Sequence, residues 1–265
     1  MMKVNKSHTF VICAYKESTY LEKCIQSLKM QTVKSQIIMI TSTPNKFISD
    51  MADKYEIPLY INEGQGGIVQ DWNFGYHHAD TAYITIAHQD DEYFPKYTEE
   101  MLELVEQDKK ALIYFTDYAE IRNGVKVTEN QLLRIKRLLL SPLKLKCLQK
   151  SRFVRRRVLS MGCPICCPSV TFVRENLPET IFKVGFRSDE DWEAWEMLSR
   201  RKGSFIYNKH ILMGHRIHEE SETSLILQDN ERVKEDYIMF CKFWPKWIAK
   251  ILVKLYSKGE KSNEL

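Results

Sequence analysis

Three short uncharged runs constrain this chain more than anything else in it: residues 9–14 (TFVICA), 36–41 (QIIMIT) and 82–87 (AYITIA). Each is apolar on both alternating faces and rich in β-branched residues, as in strands covered on both sides of a sheet. The stretches between them have helical spacing. Residues 21–30 place Leu21, Cys24, Ile25 and Leu28 on one stripe. Pro44 suits the first turn of a helix reaching to about residue 55. Residues 59–61 read as a third strand, and Gly64, Gly66 and Gly67 form a turn before a helix over 68–78. A helix over 95–108 and a strand over 112–118 continue the alternation. This order predicts an α/β fold, a mostly parallel, Rossmann-like sheet with helices on both faces. Ligands bind such sheets beyond the carboxyl ends of the strands. Polar residues just after a strand therefore carry the functional argument.

The chain has 265 residues, which suits one large α/β domain with a tail. With 44% hydrophobic residues it is not a disordered chain. The seven cysteines are an odd number in a long chain, so a secreted disulfide framework is not expected. No segment has the features of a signal peptide or the length of an apolar span, which predicts a cytoplasmic protein. Cys163-Pro164-Ile165-Cys166-Cys167 has no second paired motif and does not follow the first strand. It reads as small packing residues near the acceptor side rather than a zinc or redox site.

Beyond a tight turn at Asn123-Gly124 the composition changes. No Asp or Glu occurs between Asn130 and Arg174, while Lys and Arg recur with leucines among them. A nucleic-acid surface would need the cations alone. The leucines favour attachment to an anionic membrane surface, so no nucleic acid is expected. Core-like patterning resumes with residues 169–173, a helix over 189–201 and a strand over 204–208. Two helices, about 225–243 and 246–256, close the chain. In them Phe243, Trp244, Trp247, Ile248, Ile251, Leu252 and Leu255 can form one apolar face beside a lysine stripe. That is the pattern of a peripheral surface helix, with docking onto the domain as the alternative. The expected division is a domain over 1–223, with a basic leucine-rich insertion at about 130–160, and a helical tail over 224–265.

The segments at the strand ends resemble, in order, the motifs of family-2 glycosyltransferases with the GT-A fold. Ala14-Tyr15-Lys16-Glu17 is similar to the family's Pro-x-Tyr-Asn-Glu. Residues 66–79, with Asn73 and Gly75, resemble its glycine-containing segment and Arg-Asn helix. His88-Gln89-Asp90-Asp91 stands where the family has Asp-x-Asp-Asp, and Ser188-Asp189-Glu190-Asp191-Trp192 resembles its Glu-Asp motif. Arg216-Ile217-His218 resembles a downstream Arg-x-His. The likeness runs over about 9–223. Five positions depart from it: Ala14 for Pro, Lys16 for Asn, Thr41 for the Asp that contacts the base, Trp72 for the Arg of Arg-Asn, and His88 for the first Asp of Asp-x-Asp.

The resemblance implies an inverting transfer of sugar from a nucleotide-diphosphate sugar, by family default a UDP-sugar, to a glycan acceptor. The basic segments point to a polyprenyl-diphosphate-linked acceptor in surface polysaccharide synthesis, on the inner face of the cell membrane. The chemistry needs a divalent metal, Mn²⁺ or Mg²⁺, at the departing diphosphate. Asp90 is the expected metal carboxylate, with Asp91 as a further ligand or nucleotide contact. His218 is a metal ligand or diphosphate contact by resemblance. Asp191 is the expected general base, with Asp189 behind it. Tyr15, Glu17, Thr41, Asn73, His88 and Arg216 are the expected nucleotide contacts. Plainer readings are that Asp90-Asp91 caps the following helix, that Asp189, Glu190 and Asp191 serve a helix dipole, and that Arg216 faces Glu219 or solvent. The alternative in another class is an inactive GT-A module that binds membrane or nucleic acid through its basic segment.

Overall fold

The computed structural model describes residues 5–218 and 231–261. The first half alternates as the patterning predicts: β1 (Asn5–Cys13), α1 (Leu21–Lys29), β2 (Ser35–Thr41), α2 (Lys46–Lys54), β3 (Leu59–Ile61), α3 (Ile68–His78) and β4 (Tyr83–His88). The short strand β5 (Glu92–Tyr93) follows, then α4 (Tyr97–Val105), the long β6 (Ala111–Arg122) and β7 (Val125–Val127). The basic segment folds as α5 (Gln131–Leu140), α6 (Lys146–Gln149) and α7 (Arg152–Leu159). β8 (Val170–Val173), α8 (Glu190–Ser199), β9 (Ser204–Ile217), α9 (Glu231–Cys241) and α10 (Lys246–Lys261) complete the described chain.

The nine strands form one sheet in the order β3-β2-β1-β4-β8-β6-β9-β5, with β7 paired to β6. β1, β2, β3 and β4 run parallel, as do β6 and β9, while β8 lies antiparallel between β4 and β6. The chain crosses from β1 to β2 on one side and returns through α3 to β4 on the other. The segments after β1 and β4 therefore flank the reversal in strand order, where α/β sheets open a crevice. Cys13 and His88 are direct partners at that edge.

Two apolar cores lie on the two faces. One gathers Leu21, Ile25, Ile48, Met101 and Tyr97 from α1, α2 and α4. The other gathers Trp72, Leu159, Trp192, Trp195 and Phe240. Helix α3 lies so close on β1 that a methyl group at Gly75 would stand 2.4 Å from Val11 Cγ1.

The tail helices belong to this second core. Phe240, Ala249 and Val253 are buried in it, with Phe243, Trp244, Leu252 and Tyr256 packed against it. Trp244 Nε1 donates to the Ser160 carbonyl at 2.7 Å. The expected single apolar face is thus split in two. Trp247, Ile251 and Leu255 point outward, Trp247 being 67% exposed. The start of the first tail helix, residues 225–230, lies outside the described residues, as do the acids next to His218.

Part of the basic segment is likewise spent on structure. Arg155 has no exposed surface. It donates to the carbonyls of Ser199 (3.1 Å), Arg201 (2.6 Å) and Gly203 (2.5 Å), closing the carboxyl end of α8. Arg156 pairs with Glu196, and Arg137 with Asp117. Replacing Arg155 with Leu leaves those carbonyls unpaired in an apolar setting. The expected cost is about 3 kcal/mol, read as a lower urea midpoint with an unchanged slope.

Candidate active site

The loop after β4 carries His88, Gln89, Asp90 and Asp91, and it does not run into a helix. It crosses through β5 to β9, where Glu92 pairs with Gly214. Asp91 therefore caps no helix. Its side chain has no exposed surface and accepts the Arg216 backbone N–H at 2.8 Å, with His215 Nδ1 at 3.1 Å. Burial alone would lower the His215 pKa, but the Asp91 carboxylate raises it above the usual value.

Asp90 meets His218 across the site, with His218 Nε2 2.9 Å from Asp90 Oδ2. Burial opposes ionisation of Asp90, yet that hydrogen bond and the neighbouring imidazoles hold its pKa below the ordinary value. The His218 ring lies against Tyr20, with centroids 5.1 Å apart.

His88 stacks on Trp72, with centroids 5.4 Å apart and planes at 13°. Two departures from the family pattern thus touch each other. Burial depresses the His88 pKa despite Asp91 and Asp90 nearby, so the ring is neutral, and its Nε2 is buried without a hydrogen-bond partner. His88, Asp90 and Asp91 can each turn one ligand atom to a common point, these atoms lying within 4.8 Å of one another. A neutral imidazole and two carboxylates suit a divalent cation such as Mn²⁺. His88, expected as a nucleotide contact, is thus grouped with Asp90 and Asp91.

Asp191 sits in the first turn of α8, where all three neighbouring acids suit the helix dipole. Its Oδ1 accepts its neighbour Trp192's backbone N–H at 2.6 Å, and Cys163 Sγ lies 3.7 Å from Oδ2. Burial pushes the Asp191 carboxyl up, against the opposing pull of the Trp192 N–H, Lys136 and Cys163. Its charge reaches His88. Asp189 is more deeply buried, with burial and then Asp236 raising its pKa. The loop before α8 is held from the tail. The Glu235 carboxylate accepts the backbone N–H groups of Arg187 and Ser188 at 2.8 Å and the Ser188 hydroxyl at 2.7 Å.

Several expected nucleotide contacts prove to be otherwise engaged. Thr41 is fully buried and spends its hydroxyl on Thr43, so its side chain offers no surface to a ligand. A carboxylate does stand at that end of the sheet, but it is Asp71 of α3, bound by Ser42 Oγ (2.7 Å) and Asn62 Nδ2 (2.8 Å). Asn73 uses both ends of its amide on the backbone of Phe182. Arg216 is 4% exposed and is committed to the Asp90 carbonyl (2.8 Å) and Glu92 (2.5 Å), with its guanidinium over Tyr20. Its guanidinium thus holds the backbone of Asp90 in place. Tyr15 and Glu17 are exposed at the mouth, and the Tyr15 backbone is pinned by both ends of the Gln89 amide. His215 and Lys136 were not foreseen at the site, whereas Cys163, read as a packing residue near the acceptor side, lies beside Asp191. The alternation of β9 would have pointed to His215 had the strand been carried beyond Asn208.

A reversal of strand order, a His-Asp-Asp cluster after β4 and a carboxylate at the start of α8 are the layout of a GT-A glycosyltransferase. Comparison with solved structures gives the same fold. S. aureus TarS 1-349 in complex with UDP-GlcNAc is 12% identical, with a TM-score of 0.59 over 93% of this chain and 70% of that one. The mannosyltransferase PcManGT from Pyrobaculum calidifontis, in complex with GDP-Man and Mn2+, is 11% identical, with a TM-score of 0.63 over 95% and 70%. The sequence profile of glycosyl transferase family 2 matches residues 9–182, and the chain belongs to that family. No curated protein sequence matches it significantly.

The Arg216 side chain reaches the His88, Asp90 and Asp91 group through the Asp90 carbonyl and is braced by Glu92, while its backbone N–H holds Asp91. Substitution by Met is expected to weaken Mn²⁺ binding about 10- to 100-fold, and Asp90→Ala to abolish it, both read by calorimetry without substrate.

Proposed function

We propose that this family-2 enzyme moves a sugar from a nucleotide-diphosphate sugar, with a UDP-sugar as the first candidate, to a hydroxyl of a lipid-linked glycan with inversion at the sugar carbon. The observation that carries the reading is the His88, Asp90 and Asp91 cluster after β4, with the Asp191 carboxyl at the start of α8 near enough for its charge to reach His88. Asp90, with His88 and Asp91 and with His218 at hand, would hold a divalent cation, which would supply positive charge to the departing diphosphate. Asp191 takes the proton of the acceptor hydroxyl as that oxygen attacks the sugar carbon from the face opposite the leaving group. The new C–O bond forms as the bond to the diphosphate breaks, and the electron pair leaves with the phosphate oxygen. Burial keeps Asp191 basic, and the Trp192 N–H fixes its orientation. The ligands named for the two structural neighbours, UDP-GlcNAc and GDP-Man, support a nucleotide-sugar donor.

The lipid-linked acceptor is supported by what the basic segment and tail leave outside. Leu138, Leu145 and Phe153 are exposed, Phe153 at 72%, with Lys144, Lys146, Arg152 and Arg157 exposed beside them. Trp247, Ile251 and Leu255 follow on α10 with Lys250 and Lys254. No helix among the described residues is long and apolar enough to cross a membrane. Shallow insertion at a cytoplasmic anionic surface fits this composition.

The donor site is tested by calorimetry of UDP, GDP and other nucleoside diphosphates with Mn²⁺ and with chelator. One nucleotide should bind, and only with metal. With the donor so identified, Asp191→Asn should lower kcat by about 10²–10⁴ without changing nucleotide affinity. Asp191 works ionised, and its pKa is raised, so activity should fall as pH drops through a value above the ordinary carboxylate range of about 3.9. An acid limb at or below that value would count against Asp191. Co-flotation with phosphatidylglycerol vesicles, weakened in Phe153→Ser with Trp247→Ser, tests the membrane surface.

A further inference from the structure

One cation of the basic segment points into the molecule. Lys136 on α5 is half-buried. Its Nζ donates to Tyr118 Oη at 3.0 Å and lies 5.4 Å from the centre of the Tyr118 ring. Its neighbours on the same helix are satisfied: Arg134 by Glu129, and Arg137 by Asp117 and two backbone carbonyls. Lys136 has no carboxylate within ion-pair distance among the described residues. An ammonium carries three N–H donors, and one neutral hydroxyl is slight compensation for withdrawing it from water.

Its surroundings are those of the site. The Lys136 charge bears on Asp191, Cys163, Cys166 and His215, drawing each pKa down. The Tyr118 ring lies edge-on to His215, centroids 6.2 Å apart, and His215 in turn faces Asp91. Through Tyr118 and His215, Lys136 stands near Asp91, and its charge reaches Asp191; the other fixed cation beside these carboxylates, Arg216, is already engaged by Glu92 and the Asp90 carbonyl.

We propose that Lys136 Nζ and Tyr118 Oη form an oxyanion subsite that takes a phosphate or carboxylate oxygen of the bound substrate. The phenol has the right polarity for it. Its oxygen accepts from the ammonium, which leaves the phenolic proton free to be donated to the same anion. The oxyanion comes from the donor diphosphate or from an anionic acceptor, and both would be read by the same pair. The proposal rests on the glycosyltransferase reading.

The test compares wild type, Lys136→Gln and Lys136→Arg, each first shown to melt cooperatively. Nucleoside diphosphates are titrated with Mg²⁺ by calorimetry. Inorganic phosphate is then titrated into enzyme saturated with Mg²⁺ and nucleoside diphosphate, followed by phosphorus NMR. Diphosphate affinity lower by about ten-fold in Lys136→Gln and restored in Lys136→Arg assigns the subsite to the donor. Unchanged diphosphate affinity with phosphate binding lost in Gln and restored in Arg assigns it to the acceptor. Equal binding of both ligands by wild type and Lys136→Gln overturns the subsite and leaves the glycosyltransferase reading standing. Failure of wild type to bind any nucleotide removes that reading, and the subsite with it.

Discussion

Asp91 ties the molecule together. Its carboxylate follows β4 yet accepts the backbone N–H of Arg216 on β9, three places along the sheet. A fully buried carboxylate without such partners would be expensive. With them, it fixes the carboxyl end of the parallel half against the far strand and lets Glu92 and Tyr93 add to β9. Asp90 and His218 face each other because Asp91 and Arg216, one residue away from Asp90 and two from His218, are already bonded. The metal-facing cluster is thus set by backbone geometry more than by its own side chains.

Much of the fold is written in local pattern. Apolar runs mark β1, β2 and β4, and amphipathic stripes mark α1 and α3. These signals survive because both faces of the sheet are covered. β9 was cut short at Asn208 because Lys209 and His210, both exposed, interrupt the apolar run before it resumes. The register slips against β6 near there, between Thr116 and Tyr118. Alternation cannot be followed through such an irregularity. Motifs single out Asp90, Asp191 and His218 in the sequence, and in space His218 meets Asp90. The site was not legible where the partner comes from afar. Trp72 and His88 look like two separate defects in a familiar pattern, and only in space do they become one stacked pair. Arg216 and Asn73 have the right identities for binding phosphate or nucleotide, and their committed hydrogen bonds could not be read from spacing.

The basic segment shows how a charge run divides. The same acid-free stretch that places Lys144, Lys146 and Arg152 in solvent sends Arg155 to the end of α8 and Lys136 to the Tyr118 hydroxyl. Its lack of acids is no sign of uniform exposure. Its counter-charges, Asp117 and Glu196, come from the body of the fold.

Glu235 gives the tail a further meaning. One carboxylate of α9 gathers the backbone of Arg187 and Ser188, immediately before the residues that carry Asp191. Helix α9 lies against α10, with Phe240 and Tyr256 ring centroids 5.7 Å apart, and α10 carries the outward Trp247, Ile251 and Leu255. The outward apolar residues of α10 and the loop that leads into Asp191 are therefore links in one short chain of contacts. A shift of the tail helices would reach the loop that leads into Asp191.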